Sequence, residues 1–232
     1  MNAYLINLPR RTDRLQRMLE LKPHCISYTL TSSLGIEIDG TLLAKTNPNS
    51  YNLFEWQIES RNHWWSRPLK AGEIGCTIAH ATSWAHAFKN NSEYCIVLED
   101  DICFSESFCD QVYSAFLRLS KEPWDLLYLG RQPLEEDKGR FDFLAVPGYS
   151  HCSYGYILSR GGIQKALAMS ILDAIIPIDE FLPAMYIDHP RPDVAARYSK
   201  CMKAFSFRPC IVEQLPKEMA GSDTELSDYI LN

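Results

Sequence analysis

The sequence predicts an α/β protein, a central mixed, mostly parallel sheet flanked by helices. Three observations carry this expectation. The apolar run Tyr94-Cys95-Ile96-Val97-Leu98 ends abruptly in Glu99-Asp100-Asp101, the mark of a strand buried on both faces. The strand-like opening Ala3 to Leu8 passes through Pro9 straight into a helical stretch. Helical and strand signals then alternate along the chain, the pattern of a sheet covered by helices.

At 232 residues the chain can bury a sizeable core as one domain spanning 1–232. No repeat or low-complexity linker divides it. The stretch Thr41 to Leu69, rich in Asn, Trp and Arg and without a clean period, reads as an irregular insertion; loops of that length are often lids. The net charge of -6 argues against a nucleic-acid surface, although Arg10, Arg11, Arg14 and Arg17 form a local basic cluster. A small anionic ligand fits that balance better than a polyanion. The opening Met1 to Leu8 lacks a basic segment followed by a long apolar stretch, so no signal peptide is expected. No run approaches transmembrane length, and a cytoplasmic location is the expectation. The eight cysteines lack the paired short spacings of a zinc site and the density of a disulfide scaffold. They are expected to be mostly buried free thiols of a reduced compartment.

Each element follows from local pattern. After the first strand, Arg10 to Leu21 is helical, with Asp13 and Gln16 at capping-box spacing. The glycine fingerprint of a dinucleotide fold is missing there, as is a P-loop. A second strand lies within Cys25 to Ser32, and Ile38-Asp39-Gly40 reads as a turn that brings Asp39 to the rim of the sheet. From Glu73 to Lys89, Ile74, Ile78, Ala81, Ala85 and Phe88 recur at helical spacing, with His80 and Trp84 one turn apart on another face. Ser107 to Leu119 reads as a helix, Asp125 to Gly130 as a strand with its exit turn, and Arg131 to Phe141 as a polar loop. Tyr154 to Leu158 is a further strand that leads through Ser159 into the helix Arg160 to Met169.

Two acidic centres stand out. Ligands of α/β sheets sit at the carboxyl ends of strands, where Glu99, Asp100 and Asp101 would repel one another unless a hard divalent cation, Mn²⁺ or Mg²⁺, relieved them. Such a cation could hold a diphosphate. The plainer alternative is that acidic residues end a strand in solvent. Asp179 and Glu180, in Pro177-Ile178-Asp179-Glu180-Phe181-Leu182-Pro183, fall at a helix start, where carboxylates are favoured for capping alone. One acidic centre for a metal and another for a base is nonetheless what metal-assisted group transfer requires. The arginines read equally as a solvated helix face or as nucleotide contacts. His80 reads as a hydrogen-bonded structural group or a member of the site, and Trp56, Trp64 and Trp65 as an acceptor groove or ordinary packing.

These blocks resemble glycosyltransferase family 25, the group of lipooligosaccharide galactosyltransferases and procollagen galactosyltransferases. Asn7-Leu8-Pro9-Arg10-Arg11-Thr12-Asp13-Arg14, Gly72-Glu73-Ile74-Gly75-Cys76 with His80 and Trp84, and Leu98-Glu99-Asp100-Asp101 are similar to the family's opening, helix and metal motifs. The stretches Trp124 to Arg131, Gly155 to Ser159, Asp179 to Pro183 with His189-Pro190, Ala204-Phe205-Ser206 and Ser222 to Glu225 resemble the C-terminal module of the procollagen enzymes, in order. Ala79 departs from the family's usual serine before His80, and the segment between Pro216 and Ser222 is shortened.

The resemblance implies a GT-A nucleotide-sugar transferase fold and an inverting transfer of a hexose, galactose, from a UDP-sugar to an acceptor hydroxyl. The acceptor is left open between hydroxylysine of a collagen-like chain and a surface glycan such as lipooligosaccharide. On that footing Asp101 is assigned to the metal, Glu99 to the metal or ribose side, and Asp100 to support. Asp179, or else Glu180, is the base. Asn7, Arg10, Arg14, Asp39 and His80 are assigned to donor binding, together with Glu99 and Asp100. Two other classes stay compatible with the acidic centres: a catalytically silent binding protein on a transferase scaffold, and a metal-dependent phosphoryl-transfer or hydrolytic enzyme.

Overall fold

The structure, a computed structural model, describes residues 1–34 and 52–230. In chain order it contains β1 (Asn2–Ile6), α1 (Thr12–Glu20), β2 (Ser27–Leu30), α2 (Ala71–Lys89), β3 (Tyr94–Glu99), β4 (Ile102–Phe104), α3 (Phe108–Leu119) and β5 (Leu126–Pro133). It continues with β6 (Gly139–Phe141), β7 (Leu144–Val146), β8 (Ser150–Ser159), α4 (Arg160–Ala168), α5 (Ile178–Ala184), α6 (Pro192–Arg197), β9 (Ala204–Phe207), β10 (Val212–Gln214) and α7 (Lys217–Ala220). Short 3-10 turns cover Thr31–Leu34 and Ile171–Asp173.

The main sheet is eight-stranded, ordered β2-β1-β3-β8-β5-β9-β7-β6, and β10 pairs with β4 in a small second sheet. β1 is parallel to both β2 and β3, and β5 to β9, whereas β8 runs against β3 and β5, and β7 against β9 and β6. The sheet is therefore mixed, with β7 and β8 opposed to the other strands, as the α/β expectation has it.

Strand β3 shows why its run is apolar without alternation. Successive side chains of a strand point to opposite faces. Cys95 and Val97 join Tyr4, Tyr128 and Tyr156 in the core beneath α2, α4 and α5, while Ile96 and Leu98 join Leu5, Leu127 and Leu129 beneath α1 and α3. Both faces are covered, so every position is apolar.

Several local expectations are corrected. The capping box of Asp13 and Gln16 does not form: α1 starts at Thr12, Asp13 instead chelates the Arg11 guanidinium at 3.0 and 2.8 Å, and Gln16 donates to Glu20. The supposed polar loop from Arg131 to Phe141 starts as the end of β5 and closes as β6. Arg131 is buried there, donating to Ser150 (2.8 Å), Ser206 (3.1 Å) and Asp137. The cysteines are not all free thiols. Cys25 and Cys109, 84 residues apart in sequence, form a disulfide that ties the loop before β2 to the first turn of α3. Among the other six, only Cys95 is fully buried. Sequence separation hides this pair, because its proximity comes from tertiary packing, Ile26 sharing a core with Phe108 and Val112 of α3.

Candidate active site

The site lies where β1 and β3 end together, Ile6 standing opposite Glu99 in the parallel register. A cavity of about 780 Å³ opens there. Its lining includes Asn7, Arg10, Arg14, Glu99, Asp100, Asp101, Asp179 and Glu180, so the two acidic centres of the sequence share one cavity. Asp39 lies outside the described residues.

The three consecutive carboxylates separate into different environments. Asp100 turns inward, its carboxylate accepting from Arg14 Nη1 and Asn7 Nδ2, both at 2.7 Å. Arg14, itself buried, also donates to the carbonyls of Ala220 and Gly221. The shortened segment after Pro216, which contains α7, is thus fastened to α1. Burial nevertheless keeps the Asp100 carboxyl above the ordinary carboxylate range against the pull of Arg14. Asp101 accepts from Gln214 Nε2 at 3.0 Å through Oδ2, while its Oδ1 is buried with no partner among the described residues. Glu99 faces the cavity; burial first, then the charges of Asp101, Asp179 and Asp100, push its pKa well up. Asn7, Arg14 and Asp100, all assigned to the donor, therefore form one buried hydrogen-bonded group on the cavity wall. Arg10 sits more exposed at the mouth, paired at 3.0 Å with Asp223.

Asp179 and Glu180 occupy the first turn of α5, where neighbouring side chains diverge by about 100°. Asp179 Oδ1 accepts from the Ser153 backbone N–H at 2.8 Å, and burial raises its pKa. Glu180 is buried and surrounded by donors: Tyr149 hydroxyl (2.7 Å), His189 Nε2 (2.8 Å) and Trp65 Nε1 (2.9 Å), with His151 Nε2 at 3.5 Å. Burial alone would raise its pKa, but these bonds outweigh it and hold the carboxylate ionised far below its ordinary range. His151 is displaced the other way: burial lowers its pKa, and the contacts with Glu180 and the Asp179 charge more than reverse that.

His80 is fully buried between α2 and β8, behind Glu99. Its Nδ1 lies 2.7 Å from the Tyr156 hydroxyl, which also accepts from Trp84 Nε1 at 2.9 Å. Nε2 has no hydrogen-bond partner among the described residues and lies 3.6 Å from Glu99 Oε1. Burial pushes the imidazole pKa down to about 3. It is neutral at physiological pH.

The described part of the insertion is built into this site. Trp56 and Trp64 line the cavity, and Trp65 caps Glu180. Arg191 stacks over Trp56 at 4.3 Å and donates to its carbonyl at 2.7 Å. Pattern reading missed Tyr149, His151, Ser153 and Gln214 as site groups. No local signal marks them, because the carboxylates they serve lie on other elements.

The description "Glycosyltransferase family 25 (LPS biosynthesis protein)" matches residues 1–138. Curated relatives extend the likeness over nearly the whole chain. Procollagen galactosyltransferase 1-B of Xenopus laevis is 32% identical over 97% of this chain and 37% of its own length. Procollagen galactosyltransferase 2 of Homo sapiens is 31% identical over 97% of this chain and 36% of its own. A probable inactive glycosyltransferase 25 family member 3 of Bos taurus is 30% identical over 97% and 38%. The chain thus spans little more than a third of the length of these relatives. With most of its length matched by the family and the motif residues gathered around one cavity, the chain belongs to glycosyltransferase family 25.

Proposed function

We propose that the protein is an inverting, metal-dependent glycosyltransferase that moves galactose from UDP-galactose to an acceptor hydroxyl, with peptidyl hydroxylysine as the acceptor. The observation that carries this reading is the single cavity lined by Glu99 and Asp101 and also by Asp179. A one-step displacement at an anomeric carbon needs a stabilised leaving group, a base and positioning. The relatives named as procollagen galactosyltransferases supply the sugar and acceptor class.

The donor set suits Mn²⁺ or Mg²⁺: Asp101 Oδ1 is a buried oxygen without a partner among the described residues, and Glu99 is a carboxylate strained by burial and then by like charge. Hard cations take such oxygen ligands. When bound, the cation would neutralise charge developing on the departing UDP. Asp179 takes the proton of the acceptor hydroxyl. The Ser153 N–H fixes one of its oxygens, and its raised pKa strengthens it as a base. Glu180, with four donors around it, holds His151, Tyr149 and Trp65 in place. Arg10 lies at the mouth, where guanidinium can meet phosphate oxygens.

The test offers UDP-galactose and Mn²⁺ with a hydroxylated collagen peptide, its unhydroxylated lysine counterpart and a terminal glycan, read by mass spectrometry. Transfer to the hydroxylated peptide alone is expected. Transfer to the glycan alone would reject the hydroxylysine acceptor, and donor binding without turnover would make the chain a silent binder like its probable inactive relative.

A further inference from the structure

We propose that Cys76, His80 and Glu99 form a second metal site, sharing Glu99 with the all-oxygen pair of Glu99 and Asp101 but differing from it in chemistry, that takes a borderline cation of the zinc class. Cys76 and His80 are four residues apart on α2, so they stand on one face one turn apart, and Glu99 ends the adjacent strand β3. Their ligand atoms lie within 4.8 Å of one another. Glu99 Oε1 is 3.9 Å from Cys76 Sγ and 3.6 Å from His80 Nε2. Tetrahedral zinc with bonds of 2.0–2.3 Å holds its ligand atoms roughly 3.3–3.7 Å apart, so the trio needs only small side-chain rotations to close on an ion.

The second observation is His80 itself. The ring is fully buried, yet Nε2 makes no hydrogen bond and points at Glu99. A buried ring nitrogen left unpaired is destabilising, and a metal ion would supply the missing partner. The opposite nitrogen has the support a ligating imidazole requires: Nδ1 lies 2.7 Å from the Tyr156 hydroxyl, which accepts from Trp84 Nε1 and would accept the Nδ1–H once Nε2 binds an ion. Cys76 and Glu99 both line the cavity, which leaves a fourth position open to water or ligand. Thiolate and imidazole select zinc-class ions over Mg²⁺ or Mn²⁺, and binding releases the Cys76 thiol proton to solvent. This site stands independently of the proposed transferase activity, because its test reads the metal directly.

The experiment titrates the purified chain with Co²⁺, a spectroscopic stand-in for zinc, without oxygen and without UDP-sugar. One equivalent should give a thiolate-to-cobalt charge-transfer band that Zn²⁺ displaces. Cys76→Ser should abolish the band and weaken Zn²⁺ binding more than about a hundredfold, beyond the usual effect of a lost supporting residue. Cys152→Ser, which removes another free thiol on the cavity, should keep it. Absence of the band in the wild type, its survival in Cys76→Ser, or its loss only in Cys152→Ser would each overturn the site. Circular dichroism verifies that Cys76→Ser is folded, and His80→Gln gives a second, thiol-independent removal of a ligand.

Discussion

Asp179 and Glu180 are adjacent in the chain but opposite in chemistry: burial keeps the Asp179 pKa raised against the Ser153 and Cys152 donors and the His151 charge, while Glu180 is held ionised among His151, His189, Tyr149 and Trp65. A carboxylate so heavily bonded is a poor proton acceptor, because protonation would break bonds that favour its charge. The neighbour is freer to exchange a proton. Their different environments lead to different expected phenotypes.

Asp179→Asn should retain donor and metal binding by calorimetry while turnover falls by about two to four orders of magnitude, the usual share of a general base. The acid limb of the wild-type rate profile should lie above the ordinary aspartate range of about 4, since the native pKa is raised and activity disappears as pH falls through it. A normal rate in Asp179→Asn with a crippled Glu180→Gln would exchange the roles.

Glu180→Gln should act mainly on stability. Its native pKa is depressed, so its stabilising contribution is complete above the unfolded carboxylate value and is lost as pH falls through the lower native one. Removing the charge from a buried group with several donors should cost about 2–3 kcal/mol near neutral pH. The gap from wild type should narrow in acid, measured by urea unfolding at several pH values.

Glu99→Gln should do the reverse in the metal-free protein. Burial and like charge raise its pKa, so the group favours folding below its unfolded value and loses that advantage as pH rises through the native one. At neutral pH the amide should raise the melting temperature by about 2–4 °C for each kcal/mol relieved. Mn²⁺ should stabilise the wild type and leave the variant unchanged. A lower melting temperature in metal-free Glu99→Gln would show that the carboxylate is not strained.

Asp101→Ala should remain folded and lose most Mn²⁺-dependent UDP-sugar binding, because it removes the buried oxygen that has no protein partner among the described residues. Calorimetry with and without Mn²⁺ reads this directly. Unchanged metal dependence would remove Asp101 from the ligand set.

The Cys25–Cys109 disulfide closes a loop of 84 residues. On the chain-entropy account such a link stabilises by about 4.6 kcal/mol, so Cys25→Ser with Cys109→Ser should lower the unfolding midpoint in denaturant by a corresponding amount. Activity below the transition should be little changed, since neither cysteine lines the cavity.

The sequence by itself determined the α/β architecture, the doubly buried strand β3, the long helix α2 and the meeting of carboxylates with a strand end. Each rests on a local period or an abrupt change from apolar to charged residues, and such patterns report which face of an element is buried. They say nothing of the partner that covers it. Tertiary structure decided that Asp100 faces Arg14, 86 residues away, while Asp101 keeps a bare oxygen. It likewise gave Glu180 its donors from the insertion, from Tyr149 just before β8 and His151 within it, and from the segment after α5, and gave His80 a hydroxyl on one side and an unpaired nitrogen on the other. A carboxylate's role depends on the donors and charges within a few ångströms of it, and here folding brings most of those from distant parts of the chain.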